Sequence, residues 1–455
     1  MTNPRRRKHG SSSLLLTERI LIYAMGMGLL LLPVRAHALQ PLAEFLHHAA
    51  ELNFDNREAR ATAVQRVHEA TQAWGHLLPA LTMQADYIRN QYLGAANIPT
   101  GAAPGTNGVL PTHHVVMSPV DQWDLTFSAA LPLIDVAAWN NVGAGAANQE
   151  AQRERVTATA LEVQKTVART YYQLVGARAV ARAARRTLAA AEDNSRYLET
   201  RSHAGLASEL DFKRALAEIE RDHQAIEDAD YSTVTLSRTL GTLTGLVPEG
   251  DPIQDPTGLP LDDLHDEIPL DQWTASVDGL PSVRAAVYDK RAAKRVAAGA
   301  QAALYPAVSA QFTERATNAF GFGQSPYYAV ELLASWKLDL GNFESSRAQQ
   351  AAAAAAAIRS ERARATAADA LADAWHQVRT QTAKSRSART ALDTSRLAAS
   401  VAHEKYGSGK ATLLDVVQAE RDTFSAEVTD IQAEADLASA RAVLRLCAGR
   451  SLVTP

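Results

Sequence analysis

Two hydrophobic periods alternate along this chain, and each occurs twice. From Trp139 to His203 there is no proline, and a four/three spacing runs from Val156 through Val163, Val167, Leu174, Ala181 and Ala184 to Leu198. Eleven of the thirteen positions on that seam are apolar and most are small, the pattern of a coiled coil whose helices approach closely. A helix of that length spans roughly 97 Å. A second run extends from Phe343 to Tyr406, with a weaker seam that includes Gln381 and Ser385. Return helices are predicted from about Ser208 to Leu243 and from Thr412 to Leu446, each after a glycine turn.

Upstream of each long helix the period changes to two. Leu81, Met83, Ala85 and Tyr87 alternate with polar residues, and so do Trp123, Leu125, Phe127, Ala129 and Leu131. Val308, Ala310 and Phe312 repeat the pattern, followed by Tyr328, Val330, Leu332, Ala334 and Trp336. Such alternation predicts strands with one apolar and one polar face. A helix and a proline precede each pair of strands: Arg57 to Leu77 before Pro79, and Val283 to Leu304 before Pro306.

The order is a duplication. Gly205, Ser208, Leu210, Asp211, Ala215, Leu240 and Gly245 recur as Gly409, Thr412, Leu414, Asp415, Ala419, Leu444 and Gly449, always 204 residues later, and Asp135 and Asp339 keep that offset. Arg57/Arg284 and Pro79/Pro306 are instead 227 apart. The 23 extra residues therefore fall between Pro79 and Asp135, and a long loop is expected at 94–119. Counted from the matched aspartates, the fourth strand has the opposite apolar parity to the second; a bulge in one copy would account for it. The expected organisation is a signal peptide at 1–38, a first repeat at 39–247 with its tip near 204–208, a linker or irregular region at 248–281, and a second repeat at 282–455 with its tip near 407–412.

Composition narrows the class. Alanine supplies 88 of 455 residues and aromatics only 6%, which favours long, closely packed helices. Mean hydropathy is −0.18, and beyond the N-terminus no 18-residue apolar run occurs. That excludes a helical membrane protein but not a membrane β-barrel, whose alternating strands look mild. Arg5 to Lys8, the 13-residue apolar stretch Ile20 to Leu32 and Ala36-His37-Ala38 read as a secretory signal. The remainder carries 40 Lys and Arg against 49 Asp and Glu, a net charge near −9, so no nucleic-acid partner is expected.

Candidate chemistry is sparse. The single cysteine, Cys447, permits neither a disulfide within the chain nor a cysteine zinc site, and it reads as a packing residue in a helix. The pairs His47-His48 and His113-His114 are adjacent in sequence, so the two members do not face one site. There is no HExxH, GxSxG or P-loop pattern. No catalytic residue, metal or cofactor is expected, and a secreted hydrolase has no constellation behind it.

An exported chain with strands greasy on one side must cover that side. Two separated hairpins leave open edges, which copies of the same chain would close. Strands of about 10 residues suit a tilted crossing of a bilayer. Trp123, Trp336, Tyr87, Tyr327 and Tyr328, near strand ends, are candidates for an aromatic girdle. On these residues the chain resembles the TolC-type outer-membrane efflux proteins over essentially its full mature length. The resemblance rests on the doubled order of helix, two strands, long helix, glycine tip and helix; on the tips Gly-x-x-Ser/Thr-x-Leu-Asp; on Pro79 and Pro306; and on the closing pairs Leu240/Gly245 and Leu444/Gly449. It implies a mainly α fold with membrane β structure. Three subunits would form a twelve-stranded barrel in outer-membrane lipid and a periplasmic α-barrel tunnel. The function implied is the passive exit duct of a tripartite efflux pump or type I secretion system, working with a periplasmic adaptor and an inner-membrane transporter. A soluble periplasmic coiled-coil scaffold or adaptor explains the long helices but not the four amphipathic strands.

The resemblance also points to the tips. There Asp211 and Asp415 match aspartates that ring the periplasmic entrance, six carboxylates in a trimer. A second reading stands beside it: Ser208-x-x-Asp211 and Thr412-x-x-Asp415 fit capping boxes at helix starts. Gln418 replaces the second tip aspartate of some relatives, and Ala411, with Lys410 adjacent, replaces a latching arginine. Tyr406 matches the tip tyrosine. Pore constriction is thus expected at Asp211, Asp415, Tyr406, Gln418 and Lys410, and adaptor contact at Gly205, Leu206, Gly409 and Lys410. A latch using Lys410 is one possibility the sequence leaves open.

Overall fold

A computed structural model describes residues 39–99, 112–204, 208–249, 264–319 and 321–452. The expected signal peptide at 1–38 lies outside them. In chain order the elements are α1 (Leu42–Leu52), α2 (Phe54–Gly75), β1 (Ala80–Arg89), β2 (Gly94–Pro99), β3 (Thr112–Ser118), β4 (Asp121–Ile134), α3 (Val136–His203), α4 (Glu209–Thr244), α5 (Leu270–Thr274), α6 (Pro281–Ala302), β5 (Ala307–Thr317), β6 (Tyr327–Ser335), α7 (Leu340–Gly407) and α8 (Leu413–Cys447).

The two long helices have 68 residues each, roughly 100 Å at the standard rise. Each starts on an aspartate cap. Asp135 Oδ1 accepts from the Ala138 N–H at 2.8 Å, and Asp339 Oδ1 accepts from the Asn342 N–H at 2.7 Å. On α3 the four/three seam is the packed face: Val163, Val167, Thr170, Leu174, Ala181, Ala184, Ser195 and Leu198 are buried, and the other five seam positions are half-buried. The polar seam residues of α7, Gln381 and Ser385, are also buried. The hairpins α3–α4 and α7–α8 lie side by side through α3 and α8, with α2 on α3 and α6 against both long helices.

The strands assemble differently from two separated hairpins. One antiparallel sheet runs β1-β4-β5-β6, so β4 and β5 join the repeats edge to edge. Register puts Met83 opposite Phe127, Ala129 opposite Phe312, and Phe312 opposite Val330. Directly opposed residues share a face, so one largely apolar face crosses all four strands, interrupted by Glu314 between Phe127 and Tyr328, with Leu81, Met83, Val330 and Leu332 strongly exposed. The opposite face is polar; there Arg315 Nη2 and Asp124 Oδ1 pair at 2.6 Å.

The parity conflict resolves in β4. Pro132 pairs with Ser309 and Ile134 with Val308, leaving Leu133 as an extra residue. This bulge shifts everything before it by one, so the apolar positions of β4 and β6 reach the same face. The same rule corrects one girdle candidate: Tyr327 lies opposite Arg315 on the polar face, whereas Tyr87, Trp123 and Tyr328 are on the apolar one. Trp336 follows β6, and its indole N–H donates to the Leu304 carbonyl at 3.0 Å.

Two further segments depart from expectation. The long loop at 94–119 carries a two-stranded extension, β2 with β3, whose bases meet at Gly94 and Ser118. The expected linker at 248–281 has a structured end: α5 and the turn after it bury Trp273 and Val277 against Leu371, Leu437 and Leu444. In the first repeat α1 takes the matching place, with Phe45 and Leu46 against Val167, Leu174 and Leu240. Both return helices end on a left-handed glycine, Gly245 (φ 71°) and Gly449 (φ 76°).

Candidate functional site

The free end of the two hairpins, farthest from the sheet, is held by a small apolar knot. Leu198, Ala215, Leu413 and Val417 are buried there, with Phe212 and Tyr406 packed against them. All four long helices contribute, so this knot closes the end of the bundle.

At the second tip the chain reverses through a Schellman turn. The Gly409 N–H donates to the Tyr406 carbonyl at 3.0 Å, and the Lys410 N–H donates to the Lys405 carbonyl at 2.8 Å. Gly409 takes φ 75°, a conformation in which a β-carbon is penalised. Helix α8 then starts on a complete capping box. The Thr412 N–H and hydroxyl both donate to Asp415 Oδ2 at 2.8 Å, and the Asp415 N–H donates to Thr412 Oγ1 at 3.3 Å. The Thr412 backbone donor, then its hydroxyl, hold the Asp415 carboxyl below the usual carboxylate range.

At the first tip the expected box does not form. Ser208 caps α4 with one bond from the Leu210 N–H at 3.2 Å. Asp211 turns instead to Arg214, at 3.6 Å. Residues 205–207 lie outside the described residues, so Gly205 and Leu206 keep only their sequence-level reading.

Tyr406 belongs to the apolar knot rather than to open solvent. Burial raises its hydroxyl pKa, Arg201 opposes this, and Asp211 and Tyr197 add to it. The structure thus brings Tyr406 and Asp211 into one electrostatic neighbourhood. Sequence reasoning did not select Arg201, whose Nη1 donates to the Tyr197 hydroxyl at 2.8 Å. Gln418 donates to Asp422 Oδ1 at 2.9 Å along its own helix. Lys410 is exposed and forms no ion pair among the described residues.

Above the knot, ion pairs cross between the hairpins. Arg421 of α8 grips Glu218 of α4, its Nε 2.7 Å from Oε1. Arg186 of α3 reaches Glu427 of α8 at 2.9 Å. On the second hairpin His403 Nε2 lies 2.8 Å from Glu420 Oε1. Spacing alone did not single these out, because charges on a long helix read equally well as a solvated face.

No helix of the described residues is long and apolar enough to cross a membrane, and no group of metal-binding side chains is present among them. The sequence matches the family described as outer membrane efflux protein over residues 45–246 and 278–450, well over half of the chain. No curated protein sequence matches it. Solved structures share the fold at low identity. The outer membrane protein VceC of Vibrio cholerae is 17% identical with a TM-score of 0.72, the alignment covering 90% of this chain and 96% of VceC. The open-state MtrE channel of Neisseria gonorrhoeae is 19% identical with a TM-score of 0.71, covering 91% and 90%. The CmeC channel of Campylobacter jejuni is 15% identical with a TM-score of 0.73, covering 90% and 86%.

Proposed function

The chain belongs to the outer membrane efflux protein family, and on that premise we propose that it is a passive, trimeric exit duct gated at its helical tips. One observation carries the reading. The four-stranded sheet presents a largely apolar face and ends on two edge strands, β1 and β6, each paired on one side only. An exposed edge of that length is a site for pairing with another chain. Joining β1 of one copy to β6 of the next, three times, closes a twelve-stranded barrel with its apolar face toward lipid and its polar face inward. The helices then surround one axis and continue the conduit away from the membrane.

The constriction lies where the helices converge. Asp211 and Asp415 are the tip carboxylates, Tyr406 anchors the knot behind them, and Gln418 and Lys410 flank the opening. The pairs Arg421–Glu218 and Arg186–Glu427 hold the hairpins together in this arrangement. The glycine turn at Gly409 with Lys410, and by their sequence match Gly205 and Leu206, are the residues we assign to contact with a periplasmic adaptor. An inner-membrane transporter supplies the energy in this reading. The same conduit serves a tripartite efflux pump or a type I secretion system.

The test is imaging of particles extracted from outer membranes in detergent. A threefold hollow cylinder on the order of 140 Å long is expected, from the helix rise plus a bilayer-height barrel. A water-soluble, elongated particle without threefold symmetry would discard the duct in favour of a periplasmic scaffold.

A further inference from the structure

Between the hairpins, just above the knot, lies a cavity of about 470 Å³, within the range of small-molecule sites. Much of its wall is apolar: Ala190 and Ala191 of α3, Ala225 of α4, Ala399 of α7 and Phe424 of α8. Apart from Thr187 and Thr423 the rest is charged, and the charges are nearly all matched. Arg221 and Arg421 both pair with Glu218. Arg186 pairs with Glu427, and Glu420 pairs with His403. Asp222 alone is left over. It is 7% exposed, and its Oδ2 is buried without a hydrogen-bond partner.

A buried carboxylate oxygen with no partner is costly. The arginines of the wall are each paired with another acid, and the adjacent His223 offsets the burial only in part. We propose that this cavity binds a small organic cation, one protonated or quaternary nitrogen on an apolar body, with Asp222 as its counter-ion. Alanine walls accept the apolar body, and the Phe424 ring adds a face that attracts a cation. Bare metal ions fit poorly: the wall offers one free carboxylate, and no cluster of metal-binding side chains occurs among the described residues. The site is peculiar to the first repeat, since the position 204 residues after Asp222 is Ala426.

A proton competes for the same carboxylate. Burial, then the charges of Glu218 and Glu420, push the Asp222 pKa up to about 6, with His223 opposing. Cation affinity should therefore fall as pH drops through 6. The experiment is calorimetric titration of the full-length, detergent-solubilised protein with benzyltrimethylammonium, with benzoate as the anionic control. Saturable binding at pH 7.5 is expected, at least ten-fold weaker at pH 5 and absent for benzoate. Asp222→Asn should weaken it at least ten-fold at pH 7.5. Ala225→Leu, which fills the apolar part and leaves the charges alone, should also weaken it. Absence of binding by the parent protein at pH 7.5, or equal binding by Asp222→Asn, would overturn the proposal.

Discussion

In the second repeat Asp415 closes a capping box with Thr412; 204 residues earlier, Asp211 leaves Ser208 to cap α4 alone and faces Arg214. The backbone plan is the same in both, a long helix, a reversal and a return helix that starts on a hydroxyl. The side chain three residues after the aspartate differs. Arg214 stands in the first repeat where Gln418 stands in the second. A cation within reach draws Asp211 out of the cap, whereas Gln418 is occupied by Asp422 and leaves Asp415 to the helix start. One substitution in a duplicated motif thus moves a carboxylate from a local structural bond to a surface pair. Further along, Asp222 in the first hairpin corresponds to Ala426 in the second, so only one hairpin carries the buried acid.

The largest expected effect tests that last difference. Asp222 has an ordinary value near 3.8 and is raised to about 6 by burial. Between those values the folded chain holds a proton that the unfolded chain has released, so stability rises as pH falls through 6 and stops rising near 4. Above pH 6 both states are ionised and the penalty is fully present. Asp222→Asn removes it, and should stabilise the protein by roughly 2 kcal/mol at pH 7.5 and by almost nothing at pH 4. Denaturant midpoints of the detergent-solubilised protein at the two pH values measure this. A stabilisation independent of pH would mean that Asp222 does not titrate as described.

A smaller effect separates the two caps. Loss of a helix cap costs about 1 kcal/mol, or roughly five-fold in local opening. Thr412→Ala should therefore speed amide exchange in the first turn of α8 about five-fold. Ser208→Ala removes a single bond rather than a reciprocal pair and should speed the first turn of α4 about two-fold. Since the Asp415 carboxyl is held low by its bonds to Thr412, its share of the cap is present above the ordinary carboxylate pKa. That share is lost as pH falls through the depressed folded value. Hydrogen exchange by mass spectrometry reads both tips in one experiment. Equal acceleration at the two tips would erase the distinction between them.

The sequence exposed the parts of this molecule that depend on local period. The seam from Val156 to Leu198 proved to be the packed face because heptad spacing and small side chains dictate it. The strands were legible for the same reason. What it hid depends on partners far along the chain. Nothing near β4 or β5 announces that they pair across 190 residues of separation, as Asp124 does with Thr317 and Arg315. Pro132 was a faint sign of the bulge at Leu133, since proline inside a strand favours such irregularity. Tyr327 and Tyr328 are neighbours with the same chemistry; alternation puts them on opposite faces, and pairing with Arg315 and Glu314 ties each to its face of the whole sheet. At the tips, two aspartates in the same motif gave no hint that one would cap and the other would not, because the deciding contact is Arg214. Asp222 looked like any acid on a solvated helix until the second hairpin was laid over it.

The smallest effect bears on the gate itself. Arg214, 3.6 Å from Asp211, partly offsets its charge at the tip, while Gln418 leaves the charge of Asp415 in place. Such exposed charges are screened within about 10 Å at ordinary salt, so each alters selectivity only modestly. If the tips ring the entrance as proposed, Gln418→Arg should lower the preference for K⁺ over Cl⁻ about two-fold, and Arg214→Gln should raise it by a similar factor. Neither variant touches a buried side chain, and the Ser208 and Thr412 hydroxyls remain to cap their helices, so folding is not at issue. Reversal potentials across planar bilayers in a KCl gradient make the measurement, at low salt where screening is weakest. Shifts of opposite sign would show that the i+3 residue sets the effective charge of each tip. If neither variant shifts the reversal potential, the tips do not limit conduction and the asymmetry between Asp211 and Asp415 is purely structural.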